Sequence, residues 1–289
     1  MHFAGYASVA VAFTLIVIKT WAWLATGSVA LLSSLADSLL DLLASGVTLF
    51  AVKVAVSPAD REHRFGHGKS EGIAGIVQAV IITGSAGYVC LQAVERLLAP
   101  SPVASPEVGF AVMLSSLILT IVLVLVQRYV VARTGSLAIA ADALHYRSDI
   151  LTALAVLGAI YLSTQWGLHI FDPLLALVVV GLILWSVYEI IQAALNVLLD
   201  RELPDGDRKR IAATARAHPE VRGLHDMRTR SSGSAQFIQF HLELDPSMNL
   251  TRAHEICDAV EAEVQQSFPA AEVLIHADPY GLPEARDPF

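Results

Sequence analysis

Four ionisable side chains stand inside long apolar runs of the sequence, where such groups are rare. Asp37 and Asp41 lie four residues apart in one run, and His145 and Asp149 lie four residues apart in another. On a helix this spacing projects both members of a pair from the same face. If the two helices touch, three carboxylates and one imidazole converge, which is a ligand set suited to a tetrahedral first-row metal ion. The sequence therefore predicts a four-ligand metal site within the apolar region.

Charge balance favours a functional interpretation of these acids over a structural one. An ionised carboxylate at membrane depth is costly, so it is rare without a purpose. Pairing with Lys19 or Arg147 could hold helices together, but one or two basic residues cannot neutralise three or four acids, with Asp142 also close by. A metal dication or protons must supply the remaining charge, and a metal that enters must displace protons. We assign proton coupling to His145 and Asp149, because imidazole titrates near neutral pH.

A second cluster of metal-binding residue types follows in the loop after the second apolar run. Asp60, His63 and His67 have i, i+3, i+7 spacing and can form a three-ligand site. Loop histidines are often merely solvated, so this pattern alone leaves both interpretations open.

The last third of the chain is rich in histidine. His218, His225, His241, His254 and His276 make up half of the ten histidines, and Asp278 follows the last of them by two residues. His276 and Asp278 share a face if their strand extends that far. The pattern favours metal binding, although a solvated scatter would look similar, and His218 beside Pro219 is typical of a helix end.

Composition places most of the chain in a membrane. Of the 289 residues, 55% are hydrophobic and 16% charged, and the mean hydropathy is +0.58. Soluble domains are nearer a quarter charged. The net charge of −8 excludes the basic footprint of a nucleic-acid binder. The sequence shows no nucleophile–base pair and no phosphate-binding glycine loop, so we expect no enzyme.

Six stretches are long enough to cross a bilayer as helices. They cover residues 4–25, 29–55, 72–98, 107–131, 136–162 and 172–199. Basic residues concentrate on one side of the predicted bundle: Arg61, Arg64, Lys69, Arg128, Arg133, Arg201, Arg208, Lys209 and Arg210. By the positive-inside rule, both termini are predicted to face the cytoplasm.

The polar tail predicts a separate small domain. A helix is expected from Pro204 to His218 with Asp205 as its cap, then strands at 224–230 and 236–244. A helix from Asn249 to Phe268, capped by Asn249 or Thr251, and a strand at 271–276 complete an α-β-β-α-β order. The predicted fold is thus an all-α membrane bundle of six transmembrane helices, residues 1–199, plus a C-terminal cytoplasmic α+β domain, residues 200–289, of ferredoxin-like or metallochaperone-like type.

With these motifs laid out, the chain resembles the cation diffusion facilitator family, and within it the bacterial YiiP-type zinc and iron efflux transporters. The resemblance covers nearly the whole chain. In the membrane part it rests on GSVALLSSLADSLLD at 27–41, FGHGKSE at 65–71 and LHYRSD at 144–149. In the tail it rests on HDMRTR at 225–230, FIQFH at 237–241 and IHADP at 275–279.

The resemblance implies a homodimer in the bacterial inner membrane, with a V-shaped membrane part, that exchanges metal for protons by alternating access. It implies a transport site of Asp37, Asp41, His145 and Asp149 and a loop site of Asp60, His63 and His67. It further implies a binuclear cytoplasmic site of His225, His241, His254, His276 and Asp278, and a charged contact between subunits through Lys69 and Asp200.

Zn²⁺ is the expected cargo, with Fe²⁺, Cd²⁺ and Mn²⁺ as further candidates, since a mixed-hardness ligand set does not choose among them. Two other functions compete with metal export. A non-transporting metal sensor or scaffold of the same fold would bind metal without flux. A proton-coupled exporter of organic cations would need an aromatic pocket near Asp37 and Asp41, and Tyr146 is the one aromatic residue immediately beside the acids and histidine.

Overall fold

A computed structural model of the protein describes residues 1–27, 29–98, 107–166 and 171–281. The chain forms two compact units, Met1–Leu195 and Asn196–Phe289.

Six long helices make up the first unit. They are α1 (His2–Thr26), α2 (Val29–Ala55), α3 (Ser70–Leu98), α4 (Glu107–Thr134), α5 (Leu137–Trp166) and α6 (Phe171–Leu198). Each begins and ends within a few residues of a stretch that the sequence predicts to be apolar and helical. The N-terminal helix ends where Gly27 takes the left-handed conformation, with φ of 63°, which costs glycine no steric strain.

Five of these helices are long and apolar enough to cross a membrane, counted over the described residues. They cover His2–Thr26, Ser34–Ala55, Ser70–Glu95, Ala111–Thr134 and Leu174–Leu198. Helix α5 has 30 residues, enough length at 1.5 Å per residue. Its first half carries Asp142, Arg147 and Asp149, and α5 is not among the five spans counted over the described residues. The sixth span therefore stays a prediction.

Helix α5 lies inside the bundle, where it packs against α2, α3 and α4. Small residues on its first turns, Ala138, Ala141 and Ala143, are almost fully buried and let neighbouring backbones approach closely. Large apolar side chains such as Phe13 and Trp185 are exposed instead. This inside-out distribution is typical of a helix bundle surrounded by lipid.

The second unit is a small α+β fold. It comprises α7 (Asp205–Arg216), β1 (Gly223–Ser232), β2 (Ala235–Leu244), α8 (Leu250–Ser267) and β3 (Ala271–Pro279), the predicted α-β-β-α-β order. Strands β1 and β2 form an antiparallel hairpin, and β3 pairs in parallel with β2 after the α8 crossover. Ile211, Phe240, Ile256 and Val260 belong to the apolar core between the helices and the sheet.

The helix caps correct one prediction. Asp205 is not the cap of α7, because the helix begins at Asp205 and Pro204 occupies the N-cap position without a side-chain hydrogen bond. In the first turn the Asp205 carboxylate still interacts favourably with the helix dipole. For α8 the cap is Asn249, whose side chain accepts a hydrogen bond from Arg252 N at 2.9 Å, and not the alternative Thr251.

Candidate metal sites

The two helices that carry the intramembrane acids do touch. Ligand atoms of Asp41 on α2 and of His145 and Asp149 on α5 all lie within 4.8 Å of one another. The His145 side chain is 4% exposed and that of Asp41 14%. Helical four-residue spacing and the α2–α5 contact together bring one imidazole and two carboxylates to a single point.

A hydrogen bond of 2.8 Å joins His145 Nε2 to Asp41 Oδ1. Two ligand atoms on a tetrahedral ion with bonds near 2.0–2.1 Å lie roughly 3.3 Å apart. A metal ion held by both atoms must therefore push them apart by about half an ångström and replace the proton between them. A metal ion bound there would therefore compete with the proton for the same pair of atoms.

Asp37 lies one turn before Asp41 on α2, but its side chain is exposed and is not part of the converging group. The nearby Lys19 is buried and donates hydrogen bonds to Ser34 O at 3.1 Å and to Ser38 Oγ at 2.7 Å. These bonds fix α1 against α2 at the level of the acids. The structure thus gathers three of the four predicted transport-site residues.

The loop between α2 and α3 brings its three predicted residues together. His63 Nδ1 and His67 Nε2 each lie 3.4 Å from the Asp60 carboxylate, and their ring centroids are 4.7 Å apart. Gly66, with φ of 76°, makes the turn that returns His67 towards Asp60. His67 Nδ1 is buried and has no hydrogen-bond partner in the ranges that the structure describes.

Backbone amides hold the Asp60 carboxylate in place. Asp60 Oδ1 accepts hydrogen bonds from His63 N at 2.6 Å and from Glu62 N at 2.9 Å. The bond from His63 N, aided by that from Glu62 N and by the charges of both histidines, holds the pKa of Asp60 below its ordinary value. The carboxylate is therefore ionised and available to a cation throughout the neutral range.

In the C-terminal unit, three histidines align across the sheet. His225 on β1 is the register partner of His241 on β2, and His241 is the register partner of His276 on β3. Neighbouring rings are 5.1 Å and 4.6 Å apart between centroids. Cross-strand partners lie on the same face of a sheet, so the strand register alone creates a row of three imidazoles.

Asp278 joins this row because β3 extends to Pro279, beyond the end predicted at His276. Its carboxylate lies 2.7 Å from His241 Nδ1, 3.1 Å from His276 Nε2 and 3.4 Å from His225 Nε2. His225 Nε2 is buried and, within the described part of the chain, has no partner in hydrogen-bond geometry. The Asp278 carboxylate therefore lies close to three imidazoles, and such an arrangement can hold metal ions.

The sequence analysis did not identify two acidic residues near this row. Asp226 Oδ2 lies 2.8 Å from His225 Nδ1 at a β-bulge, where Asp226 has φ of 48°. Bulges redirect side chains in this way. Glu243 is buried, 3.6 Å from His225 Nε2. Glu243 follows His241 by two residues and so lies on the same strand face, and this spacing could have identified it as a neighbour of the row.

The remaining predicted residues lie elsewhere. His254 is exposed on α8, with Nε2 3.5 Å from Asp258, and does not join the row. His218 follows α7 and accepts a hydrogen bond from Glu220 N, as expected for a helix-end residue. Lys69 is half-buried just before α3. Asp200 has φ of 55° and accepts a 3.4 Å hydrogen bond from Arg230.

Glu71 fixes the start of α5, the helix that carries His145 and Asp149, and the sequence analysis gave it no role. This carboxylate is buried in the first turn of α3 and accepts hydrogen bonds from Leu137 N at 2.6 Å and Ala138 N at 3.4 Å. Its neighbour Ser70 donates to Ala51 O at 3.2 Å. The first turn of α3 thus contacts both α2 and α5, which carry the candidate transport group, defined as Asp41, His145 and Asp149.

Sequence comparisons agree with the class of protein that this bundle and its acids indicate. The model of the "Cation efflux transmembrane domain" matches residues 5–199, and that of the "Cation efflux protein, cytoplasmic domain" matches residues 203–280. The cation-efflux pumps FieF of Cronobacter sakazakii and Salmonella typhimurium are each 44% identical over 276 residues, which are 96% of this chain and 92% of theirs. The chain is therefore a membrane transporter that exports metal cations.

More narrowly, the chain belongs to the cation diffusion facilitator family and to its YiiP-type branch, as its motifs indicate. The family is one of transporters, which is not an enzyme class. Among solved structures, the metal-bound C-terminal domain of the CzcD transporter from Thermotoga maritima is 30% identical. It covers 27% of this chain and 93% of its own, with a TM-score of 0.26.

Proposed function

We propose that this chain exports divalent transition-metal ions, Zn²⁺ foremost and Fe²⁺ and Cd²⁺ as well, from the cytoplasm in exchange for protons. The proposal rests on the 2.8 Å hydrogen bond between His145 Nε2 and Asp41 Oδ1, with Asp149 beside it. Because one proton and one metal ion compete for these two atoms, binding of either releases the other. A site of this kind couples two fluxes when each side of the membrane reaches it in turn.

The ligand set supports the choice of cargo. One imidazole among carboxylates is a mixed set that suits borderline ions such as Zn²⁺, and less well harder ions such as Mn²⁺. Replacing His145 with Asp would leave oxygen ligands alone and so shift selectivity towards Mn²⁺. Asp37 completes the transport site when a closer approach of α2 brings it to the ion.

The chain works as a homodimer in the bacterial inner membrane, with both termini in the cytoplasm. Residues 1–199 are the six-span transport domain and residues 200–289 the cytoplasmic metal-binding domain. The lysine and arginine residues of the predicted inner loops support this orientation. The charged contact between Lys69 and Asp200 of different subunits belongs to the same proposal.

Two further metal sites adjust the transport rate to the concentration of metal in the cytosol. Asp60, His63 and His67 bind an ion at the loop, and the row of His225, His241 and His276 with Asp278 binds ions in the C-terminal unit, where His254 adds a ligand. Ions bound there when cytosolic metal is high stabilise the dimer and raise the transport rate.

Metal uptake into proteoliposomes with an imposed pH gradient tests the central claim. Zn²⁺, Fe²⁺, Mn²⁺ and Cd²⁺ are compared for the wild type and for Asp41→Ala. We expect Zn²⁺ flux that depends on the gradient and disappears in Asp41→Ala, because that variant loses both a ligand and the shared proton.

Asp205→Ala is the matched control, since this exposed carboxylate lies on α7, in the other unit. Its flux should equal that of the wild type. Tight metal binding with no flux of any ion would contradict the transporter proposal and leave the sensor or scaffold as the better interpretation.

A further inference from the structure

A second group of polar side chains is buried in the helix bundle, apart from the transport group. We name it the buried polar cluster, and every member is at most 1% exposed. Its members come from five helices: Ser8 on α1, Ser45 and Thr48 on α2, Gln78 on α3, Gln127 on α4, and Asp142 and Tyr146 on α5.

The Asp142 carboxylate is the centre of this cluster. Its Oδ2 accepts a hydrogen bond from Gln127 Nε2 at 2.7 Å, and its Oδ1 accepts from Ser45 Oγ and Gln78 Nε2, each at 3.3 Å. Within the described part of the chain, no Lys or Arg forms an ion pair with it. Two side-chain amides and the Ser45 hydroxyl group donate these hydrogen bonds to the acid.

The outer members extend these bonds to neighbouring helices. Gln127 Nε2 also donates to Ser8 Oγ at 3.0 Å, and Ser45 Oγ lies 2.9 Å from Tyr146 Oη. Gln78 Nε2 lies within hydrogen-bond distance of Thr48 Oγ1 at 2.8 Å and of its third acceptor, Ala44 O, at 3.0 Å. Helices α1 to α5 thus meet at one hydrogen-bonded junction.

The junction is not fully satisfied in this conformation. Gln78 Nε2 has two hydrogens but three acceptors within reach, and Gln78 Oε1 and Gln127 Oε1 are buried without a hydrogen-bond partner among the described residues. Buried polar groups without partners carry a desolvation cost that water would remove. Opening the junction to water therefore costs less than opening an apolar contact of the same size.

The position of the cluster relative to the transport group completes the argument. Ser45 follows Asp41 by four residues along α2, and Asp142 precedes His145 by three along α5, so the cluster lies one turn nearer the C-terminal end of α2 and the N-terminal end of α5. Exposure falls in that direction. Asp149 is exposed, His145 nearly buried and Asp142 fully buried.

We propose that the buried polar cluster is the cytoplasmic gate of the transport path. The inference rests on the proposed function, in which the ends of α2 and α5 beyond this cluster face the cytoplasm. In the conformation described, the gate is closed at the fully buried Asp142, while Asp149 on the other side of His145 is exposed. Separation of α2 from α5 hydrates the Asp142 carboxylate and the two glutamine carbonyl oxygens, which then line the entry of a cation.

Cysteine accessibility tests the gate directly. The parent protein carries Cys90→Ser and Cys257→Ser, which replace its two free cysteines, and a reporter Ala44→Cys on α2, at a fully buried position beside Gln78. A membrane-impermeant methanethiosulfonate reagent is added to one side of oriented vesicles at a time. Asp142→Asn removes the charge and places an amide N–H against Gln78, so it should weaken the junction.

We expect Ala44→Cys to be protected in the parent and to react at least about tenfold faster in the Asp142→Asn background, from the cytoplasmic side only. A loss of a hydrogen bond to a charged group corresponds to a change of roughly this size. Gln127→Met, which removes the 2.7 Å bond and leaves Asp142 in place, should raise the rate in the same direction. An unchanged rate in both backgrounds would overturn the proposal.

A second reporter separates a gate from general loosening. Ala86→Cys on α3 is also almost fully buried but belongs to an apolar cluster with Val179 and Ile183 of α6, and not to the junction of α2 with α5 that the gate opens. It should stay protected in every background. Labelling of both reporters alike, or labelling of Ala44→Cys from the opposite side, would overturn the gate. Because this readout needs neither flux nor metal, its failure is distinguishable from failure of the transport assay.

Discussion

Acidification is expected to weaken Zn²⁺ binding at the transport group by a fixed factor. The proton in the 2.8 Å bond between His145 Nε2 and Asp41 Oδ1 must leave before both atoms can coordinate an ion. By mass action, release of one proton raises the apparent dissociation constant about tenfold for each unit that the pH falls, or about 1.4 kcal/mol. Between pH 7.5 and pH 5.5 the affinity should therefore fall at least about a hundredfold.

Competition with a fluorescent zinc chelator measures this slope on the full chain in detergent. Asp60→Asn and Asp278→Asn are introduced together to weaken the loop site and the histidine row, so that the titration reports the transport group. His145→Gln in the same background is the matched variant. Its logarithmic slope against pH should be lower by about one, because the imidazole that carries the shared proton is gone.

A slope near zero in the parent, with binding still tight at pH 5.5, would refute the competition between proton and metal. Equal slopes in the parent and in His145→Gln would instead show that the displaced proton resides elsewhere in the group.

Three other predictions concern sites outside the transport group. Asp278→Asn should lower the Zn²⁺ affinity of the histidine row at least about tenfold, because the Asp278 carboxylate contacts all three imidazoles. Isothermal titration calorimetry on the full chain measures this affinity. Unchanged stoichiometry and affinity would contradict the prediction. The Asp60 carboxyl should titrate below its ordinary pKa of 3.8, since backbone hydrogen bonds stabilise its ionised form. A lowered pKa means that these bonds contribute stability above pH 3.8 that is lost only as the pH falls through the lower value, and a ¹³C NMR midpoint at or above 3.8 would disprove this. Glu71→Ala should reduce the free energy of unfolding by about 1–2 kcal/mol, because the start of α5 loses its cap. Thermal unfolding in detergent measures the loss, which should be smaller in Glu71→Gln. Equal stability of both variants and the wild type would count against the cap.

The sequence predicted the site best where the regular period of a helix fixes the direction in which side chains point. Four-residue spacing placed Asp41 on one helix face and His145 with Asp149 on another, and the α2–α5 contact brought the three together. The same argument included Asp37, whose side chain is exposed. Spacing along a helix sets which residues share a face, but not how far along that face the neighbouring helix makes contact.

Interactions between elements were harder to predict. Gln78 and Gln127 are neutral, so a search for charged residues inside apolar runs did not identify them, although both donate hydrogen bonds to Asp142. Asp226 depends on a β-bulge that no alternation pattern indicates. The end of β3 was predicted too early for a related reason, since the pairing of Glu243 with Asp278 and of Leu244 with Pro279 extends the strand beyond its apolar run.

The row of His225, His241 and His276 has a consequence for folding. The row exists only in one strand register, because a shift of one residue in any strand would turn its histidine to the opposite face. Parallel pairing of β2 with β3 closes a long loop through α8, which is slow and entropically costly to form. An ion that joins His241 to His276 acts as a reversible cross-link across that loop. If the row binds metal as proposed, metal supply would then control the stability of the correctly paired sheet, and chelation should lower its resistance to unfolding.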